Sequence, residues 1–196
     1  LLGLDYFCKI VSLQHKYAPQ GLPIYNALQT NGMLLDDSWG LFLAEHGFLT
    51  GLSIDGPKAV HDRYRVDRAG RPTFDAVMRG LDVLQRNGVA HNALTTVHRA
   101  NGTKGKAIYR FLKGLGLEHI QFIPIVERKG QNGLAAAPQI ETSSPHGVTD
   151  WSVAPRAYGK FLNDVFDLWY KTDVGQIFVQ FFDVQLGLWA GRPAGL

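Results

Sequence analysis

A serine closing one apolar run and an arginine one loop later are the side chains here best suited to hold an anion. Ser53 lies near the end of Phe48 to Ile54, and Arg65 closes His61-Asp62-Arg63-Tyr64-Arg65, beyond Asp55-Gly56-Pro57. A hydroxyl and a guanidinium fork fit a carboxylate, and they also fit a ribose. Gln29 and Asn31, in Leu28-Gln29-Thr30-Asn31-Gly32, add amide groups at the end of another β-prone run. Each residue has a plain structural reading too. Thr30-Asn31-Gly32 and Asp55-Gly56-Pro57 are ordinary turns, Asp55 and Ser53 can cap helices, and Arg65 can form a surface ion pair of little worth.

Other chemistry is sparse. His61 and Asp62 are sequence neighbours and do not face each other on a helix. His91, His98 and His119 lack His-Glu-x-x-His or similar ligand spacing, so no metal site is expected. There is no Gly-x-Ser-x-Gly elbow and no Gly-x-x-x-x-Gly-Lys phosphate loop. Cys8 falls on the apolar face of the first helical pattern and reads as a small buried hydrophobe. As the single cysteine, it excludes an internal disulfide and a multi-cysteine metal site made by this chain alone.

The elements that must position these groups alternate. Leu4, Phe7, Cys8 and Val11 recur at helical spacing, ending before Pro19. Leu22 to Gln29 is β-prone. Asp36 or Asp37 can cap a helix carrying Trp39, Phe42 and Leu43, with Gly47 as its stop. After the Phe48 to Ile54 strand, Thr73 caps a helix with Phe74, Val77, Leu81 and Leu84 inward and Gly88 past its end. Val89 to Val97 reads as a strand, Lys104 to Leu115 as a helix, and His119 to Val126 as a strand. A loop from Glu127 to about Pro155 is long enough to cover a site or be mobile. A helix with Phe161, Val165, Leu168 and Trp169 follows, then a strand-like Ile177 to Phe182 and a short helix.

Strands alternating with such helices mean βαβ units and a parallel sheet. Without Gly-x-Gly-x-x-Gly after the first strand, an arc of a (β/α) barrel is favoured over a dinucleotide fold. A full barrel takes about 250 residues, and this chain has 196. Parallel strands would bring Gln29 and Asn31, Ser53 and Asp55, Thr96 and His98, and Val126 and Glu127 to one rim. Apolar residues are 45% and charged residues 19%, the balance of a globular protein. The net charge of +3, with scattered Lys and Arg, argues against a nucleic-acid partner. No apolar run reaches the roughly 18–20 residues of a membrane span, and no signal peptide is evident. The absent initiator Met and the Gly195-Leu196 ending read as a piece of a longer protein.

Taken in order, Leu28 to Gly32, Gly51 to Pro57, His61 to Arg65, Thr73-Phe74 and Gln121 to Glu127 resemble the radical S-adenosylmethionine superfamily. Within it, the pattern is most similar to the anaerobic sulfatase-maturating enzymes. The resemblance implies an α/β fold: the central part of a partial (β/α)6 barrel, incomplete at both ends, without the C-terminal auxiliary-cluster domain. It implies S-adenosylmethionine on a [4Fe–4S] cluster and a 5′-deoxyadenosyl radical that begins oxidation of a sulfatase Cys or Ser to formylglycine. A sulfatase polypeptide would be the substrate, flavodoxin or ferredoxin the electron donor, and the cytoplasm the location. By position, Ser53 and Arg65 match residues that hold the methionine carboxylate, and Val126 the residue that packs on adenine. Gln29 and Asn31 match the ribose or substrate side, and Asp183 a substrate-binding position near the peptide groove or a structural cap. The cluster motif Cys-x-x-x-Cys-x-x-Cys, the Gly-Gly-Glu-Pro segment and the auxiliary cysteines are not in this sequence, so it is expected to be inert alone. Two other readings stay open: another peptide-modifying enzyme of the superfamily, or a non-catalytic barrel binding a peptide or nucleotide.

Overall fold

The computed structural model describes residues 2–19, 21–130, 133–134 and 147–192. Its main sheet has five strands that follow in chain order: β1 (Ala27–Thr30), β2 (Leu49–Ser53), β3 (His91–Val97), β4 (His119–Pro124) and β7 (Phe178–Val179). β1 pairs with β2, β3 with β4 and β4 with β7, all in parallel. The helices are α1 (Leu4–Tyr17), α2 (Asp37–Glu45), α3 (Lys58–His61), α4 (Phe74–Arg86), α5 (Gly105–Gly114), α6 (Pro155–Thr172) and α7 (Gln180–Trp189). This is an open α/β sheet with sequential strands, the order of a barrel arc and not of a doubly wound sheet. Two compact units divide the chain, Leu1–Ser53 with Arg65–Asn92, and Ile54–Tyr64 with Ala93–Leu196.

In the first unit, Asp36 caps α2 by accepting from the Trp39 N–H at 3.0 Å, as its position predicts. β1 is shorter than the β-prone run before it. β2 offers partners only from Leu49, opposite Ala27, and Pro23 has no N–H to give a ladder. Leu22, Ile24 and Tyr25 are accordingly exposed. Cys8 is exposed, contrary to the sequence reading. The inward line of α1 runs through Phe7, edge-on to Trp39, and buried Val11; Cys8 lies one position round the helix from Phe7. α4 buries Val77, Leu81 and Leu84, leaving Phe74 at intermediate exposure. A Cβ at Gly80 of α4 would lie 2.2 Å from the Gly32 carbonyl oxygen, so the turn after β1 packs directly on that helix.

In the second unit, α6 buries Phe161, Val165 and Trp169, while Leu168 is only partly covered. A Cβ at Gly105 would lie 2.6 Å from the Phe161 carbonyl oxygen, which sets the close approach of α5 to α6. Buried Asp173 ends α6, accepting from Tyr109 Oη at 2.7 Å and Lys113 Nζ at 2.6 Å. Burial opposes its charge, but these bonds and one from Thr172 outweigh it and hold its pKa below 3.8. Tyr109, buried and hydrogen-bonded to that carboxylate, has its pKa raised. The strand-like run Ile177 to Phe182 is strand only in part: pairing with β4 ends at Val179, and α7 starts at Gln180. Phe182 then packs on Trp169 and Phe166, burial that a helix achieves as well as a strand. Of the loop read from Glu127 to Pro155, residues 131–132 and 135–146 lie outside the described residues. The described part holds a two-stranded hairpin, β5 (Lys129–Gly130) with β6 (Gly133–Leu134), and an antiparallel bridge between Arg128 and Val148.

Candidate functional site

The first unit carries Gln29, Asn31, Ser53 and Arg65. In the β1–β2 register Gln29 stands opposite Gly51 and Thr30 opposite Leu52, and Ser53 extends β2 by one further residue. Strand alternation therefore places Gln29, Gly51 and Ser53 on one face, with Leu28, Thr30 and Leu52 on the other. Leu52 packs on the Gly32 turn, so its face is the helix side. The opposite face carries an amide and a hydroxyl beside a glycine, whose missing side chain lets another group approach the backbone closely. Ser53 is 7% exposed. Asn31 is exposed and accepts from the Met33 N–H at 3.2 Å, while Thr30 Oγ1 accepts from the Gly32 N–H at 3.1 Å. The turn reading of Thr30-Asn31-Gly32 thus holds, and Asn31 contributes to it directly.

Arg65 is half-buried and opens a loop that ends at Thr73. Thr73 does not cap α4 with its side chain, as its position predicts; Oγ1 donates instead to the Arg65 carbonyl oxygen at 2.7 Å. The hydroxyl reaches a carbonyl across the loop, a tertiary bond that no local pattern signals.

The second unit carries Val126 and Asp183, and its strand ends hold buried polar groups. Asp55, 1% exposed, accepts at Oδ1 from the Thr96 N–H at 2.8 Å and the Thr96 hydroxyl at 2.7 Å. It clamps the end of β3, and α3 begins just after Pro57. Its own N–H donates to Nδ1 of fully buried His61 at 3.3 Å. An Nδ1 that accepts leaves His61 protonated on Nε2 when neutral, and no His61–Asp62 dyad is needed to explain it. Asn101, also fully buried, donates to Thr96 O at 2.9 Å and accepts from the His98 N–H at 2.7 Å. The rim read from the sequence includes Asp55 and Thr96; Asn101, in the loop after β3, is the member it omits.

Val126 follows the carboxyl end of β4 and is 62% exposed. Its neighbours are pinned: the Ile125 N–H donates to Val97 O at 2.8 Å, and the Glu127 N–H to Ser152 Oγ at 3.0 Å. An apolar side chain is thereby held out on a fixed backbone. Asp183 lies in the first turn of α7, with one oxygen buried and without a hydrogen bond. Burial raises its pKa, opposed by the Val179 and Asp183 backbone N–H groups and by His119. His119 opens β4, so it lies at the opposite end of that strand from Val126. Among the described residues no group of His, Cys, Asp and Glu could hold a metal ion.

The serine-type anaerobic sulfatase-maturating enzyme of Bacteroides thetaiotaomicron is 42% identical over 195 residues, 98% of this chain and 47% of that protein. The cysteine-type enzyme of Clostridium perfringens (strain 13 / Type A) is 36% identical over 189 residues, 93% of this chain and 46% of that protein. This chain is a homologue of the anaerobic sulfatase-maturating enzymes. A solved structure of native anSMEcpe with bound AdoMet and Kp18Cys peptide agrees, with a TM-score of 0.82 and 34% identity over 98% of this chain and 51% of that one. No family model matches the chain. The chain spans about half the length of the sulfatase-maturating relatives it matches. The α/β fold read from the sequence is the fold of these enzymes.

Proposed function

We propose that this chain is a cofactor- and substrate-binding segment of a radical S-adenosylmethionine enzyme that oxidises a sulfatase Cys or Ser to formylglycine. The observation that carries this is the similarity to a structure with bound AdoMet and peptide, joined to a hydroxyl and an amide on one strand face beside a bare glycine. Ser53 and Arg65 hold the methionine carboxylate, a hydroxyl and a guanidinium being complementary to that anion. Val126 packs on the adenine ring, Gln29 and Asn31 meet the ribose or the substrate backbone, and Asp183 meets the substrate peptide. The bound cofactor, reductively cleaved, supplies the oxidising radical for the substrate β-carbon. What these residues contribute is orientation and exclusion of water.

The iron–sulfur cluster does not fit the residues present. One exposed cysteine and no candidate metal group among the described residues cannot supply the thiolates. The [4Fe–4S] ligands are therefore assigned to other parts of the complete protein, and this chain alone is assigned no activity. Flavodoxin or ferredoxin is the proposed electron donor and the cytoplasm the proposed location; no helix among the described residues is long and apolar enough to cross a membrane.

The test is anaerobic incubation of the complete, cluster-reconstituted protein with sulfatase peptides carrying Cys or Ser at the modified position, followed by mass spectrometry. Formylglycine in either peptide is expected, and the preferred one identifies the substrate type. Cofactor cleavage with both peptides unmodified would point to a different peptide substrate and overturn the sulfatase assignment.

A further inference from the structure

The loop after Arg65 is closed at three levels. At its base, Thr73 Oγ1 donates to the Arg65 carbonyl oxygen. Next, Val66 and Pro72 form an antiparallel bridge. At the tip, Asp67 accepts from the N–H groups of Ala69 at 2.8 Å and Arg71 at 2.9 Å and from Arg71 Nε at 2.7 Å. The Arg71 backbone bond and then its guanidinium hold the Asp67 carboxyl below its ordinary pKa, so it stays ionised and bonded. Gly70 turns the chain at φ +77. Thr73 is the buried member, 4% exposed. A threonine preceding a helix ordinarily accepts from the helix's first turn, yet here the hydroxyl is given to Arg65.

We propose that Thr73 is a positioning residue for cofactor binding: its bond to the Arg65 carbonyl fixes the backbone from which the guanidinium reaches the methionine carboxylate. Asp67 keeps the rest of the loop closed. This rests on the assignment of Arg65 to that carboxylate. A long side chain on an unfixed backbone must be ordered when the ligand binds, and the ordering subtracts from affinity; a preset backbone removes part of that loss.

Calorimetric titration of the complete protein with S-adenosylmethionine tests this. Thr73→Val keeps the shape and removes the donor, and should weaken binding about fivefold, while Thr73→Ser should stay within about twofold of the parent. In an Arg65→Ala background, itself bound at least about tenfold more weakly, Thr73→Val should change affinity by less than about twofold. 5′-Methylthioadenosine carries the adenosine but no carboxylate, so its affinity should be equal with and without Thr73→Val. An equal loss in both backgrounds, or for both ligands, would make Thr73 a general support and overturn the proposal. Undiminished affinity in Thr73→Val beside weak binding in Arg65→Ala would overturn it too. Normal binding by Arg65→Ala locates the fault in the carboxylate assignment itself and removes the ground for the proposal. Should Thr73→Val not fold, Asp67→Asn in the exposed loop carries the same comparison, with about a twofold loss for S-adenosylmethionine alone; loss for both ligands overturns it.

Discussion

The loop around Arg65 and the strand ends around Asp55 are both held by hydrogen bonds, but of different kinds. In the Arg65–Thr73 loop most bonds run to backbone groups close in sequence, and the tip is exposed. Around Asp55 two links cross from one strand end to the next, Asp55 to Thr96 and Thr95 Oγ1 to Ile54 O, and Asp55, Thr95 and Asn101 are buried. A buried polar group that loses its partner carries the full desolvation penalty, whereas an exposed one turns to water. The Asp55 cluster should therefore govern folding, and the Arg65 loop should govern binding.

The largest effect that could break this contrast is expected at Asp55. Asp55→Ala strands the Thr96 N–H and hydroxyl and should cost about 3 kcal/mol in a denaturant melt. A loss below about 1 kcal/mol would mean that the cluster is no clamp. Asp173 is the second buried carboxylate to try. Asp173→Ala should cost about 2 kcal/mol by removing the acceptor for Tyr109 and Lys113. Its folded pKa is depressed, so its contribution is present above 3.8 and is lost as pH falls through the folded value. That acid-side loss, followed by melts across pH, should be smaller in Asp173→Asn.

Changes in the Arg65 loop should be milder for folding. Thr73→Val should cost about 1 kcal/mol, the typical worth of one neutral hydrogen bond. Arg65→Ala should cost roughly 0.5 kcal/mol or less of stability, while S-adenosylmethionine affinity in the complete protein drops about tenfold to a hundredfold. Melts beside calorimetric titrations separate the two quantities. If Arg65→Ala destabilises as much as Asp55→Ala does, the contrast fails and Arg65 is a structural residue.

The alternation of strands and helices, the parallel sheet and most helix limits were legible from apolar period and punctuation. Val77, Leu81 and Leu84 fall at helical spacing, and Gly47 and Gly88 take the positive φ that helix stops favour. Where the local signal was double, it misled. The run from Ile177 to Phe182 suits a strand or a buried helix, and the short pairing with β4 settled it. Cys8 fits an apolar stripe, but that stripe turned toward Phe7 and Val11.

The sequence by itself determined which chemistry is present: a hydroxyl, a guanidinium and amides at strand ends, one thiol, and motifs whose order marked the family. These are local properties, carried by residue type and spacing. Only the tertiary structure decided what Asp55 and Thr73 do. Asp55 could have capped α3 and Thr73 could have capped α4, and both caps were locally satisfactory. The fold brought Thr96 to Asp55, and at Thr73 it replaced the cap by a bond to the Arg65 carbonyl. For Asp55 the physical reason is burial: a carboxylate shut away from water needs donors, and Thr96 supplies an N–H and a hydroxyl.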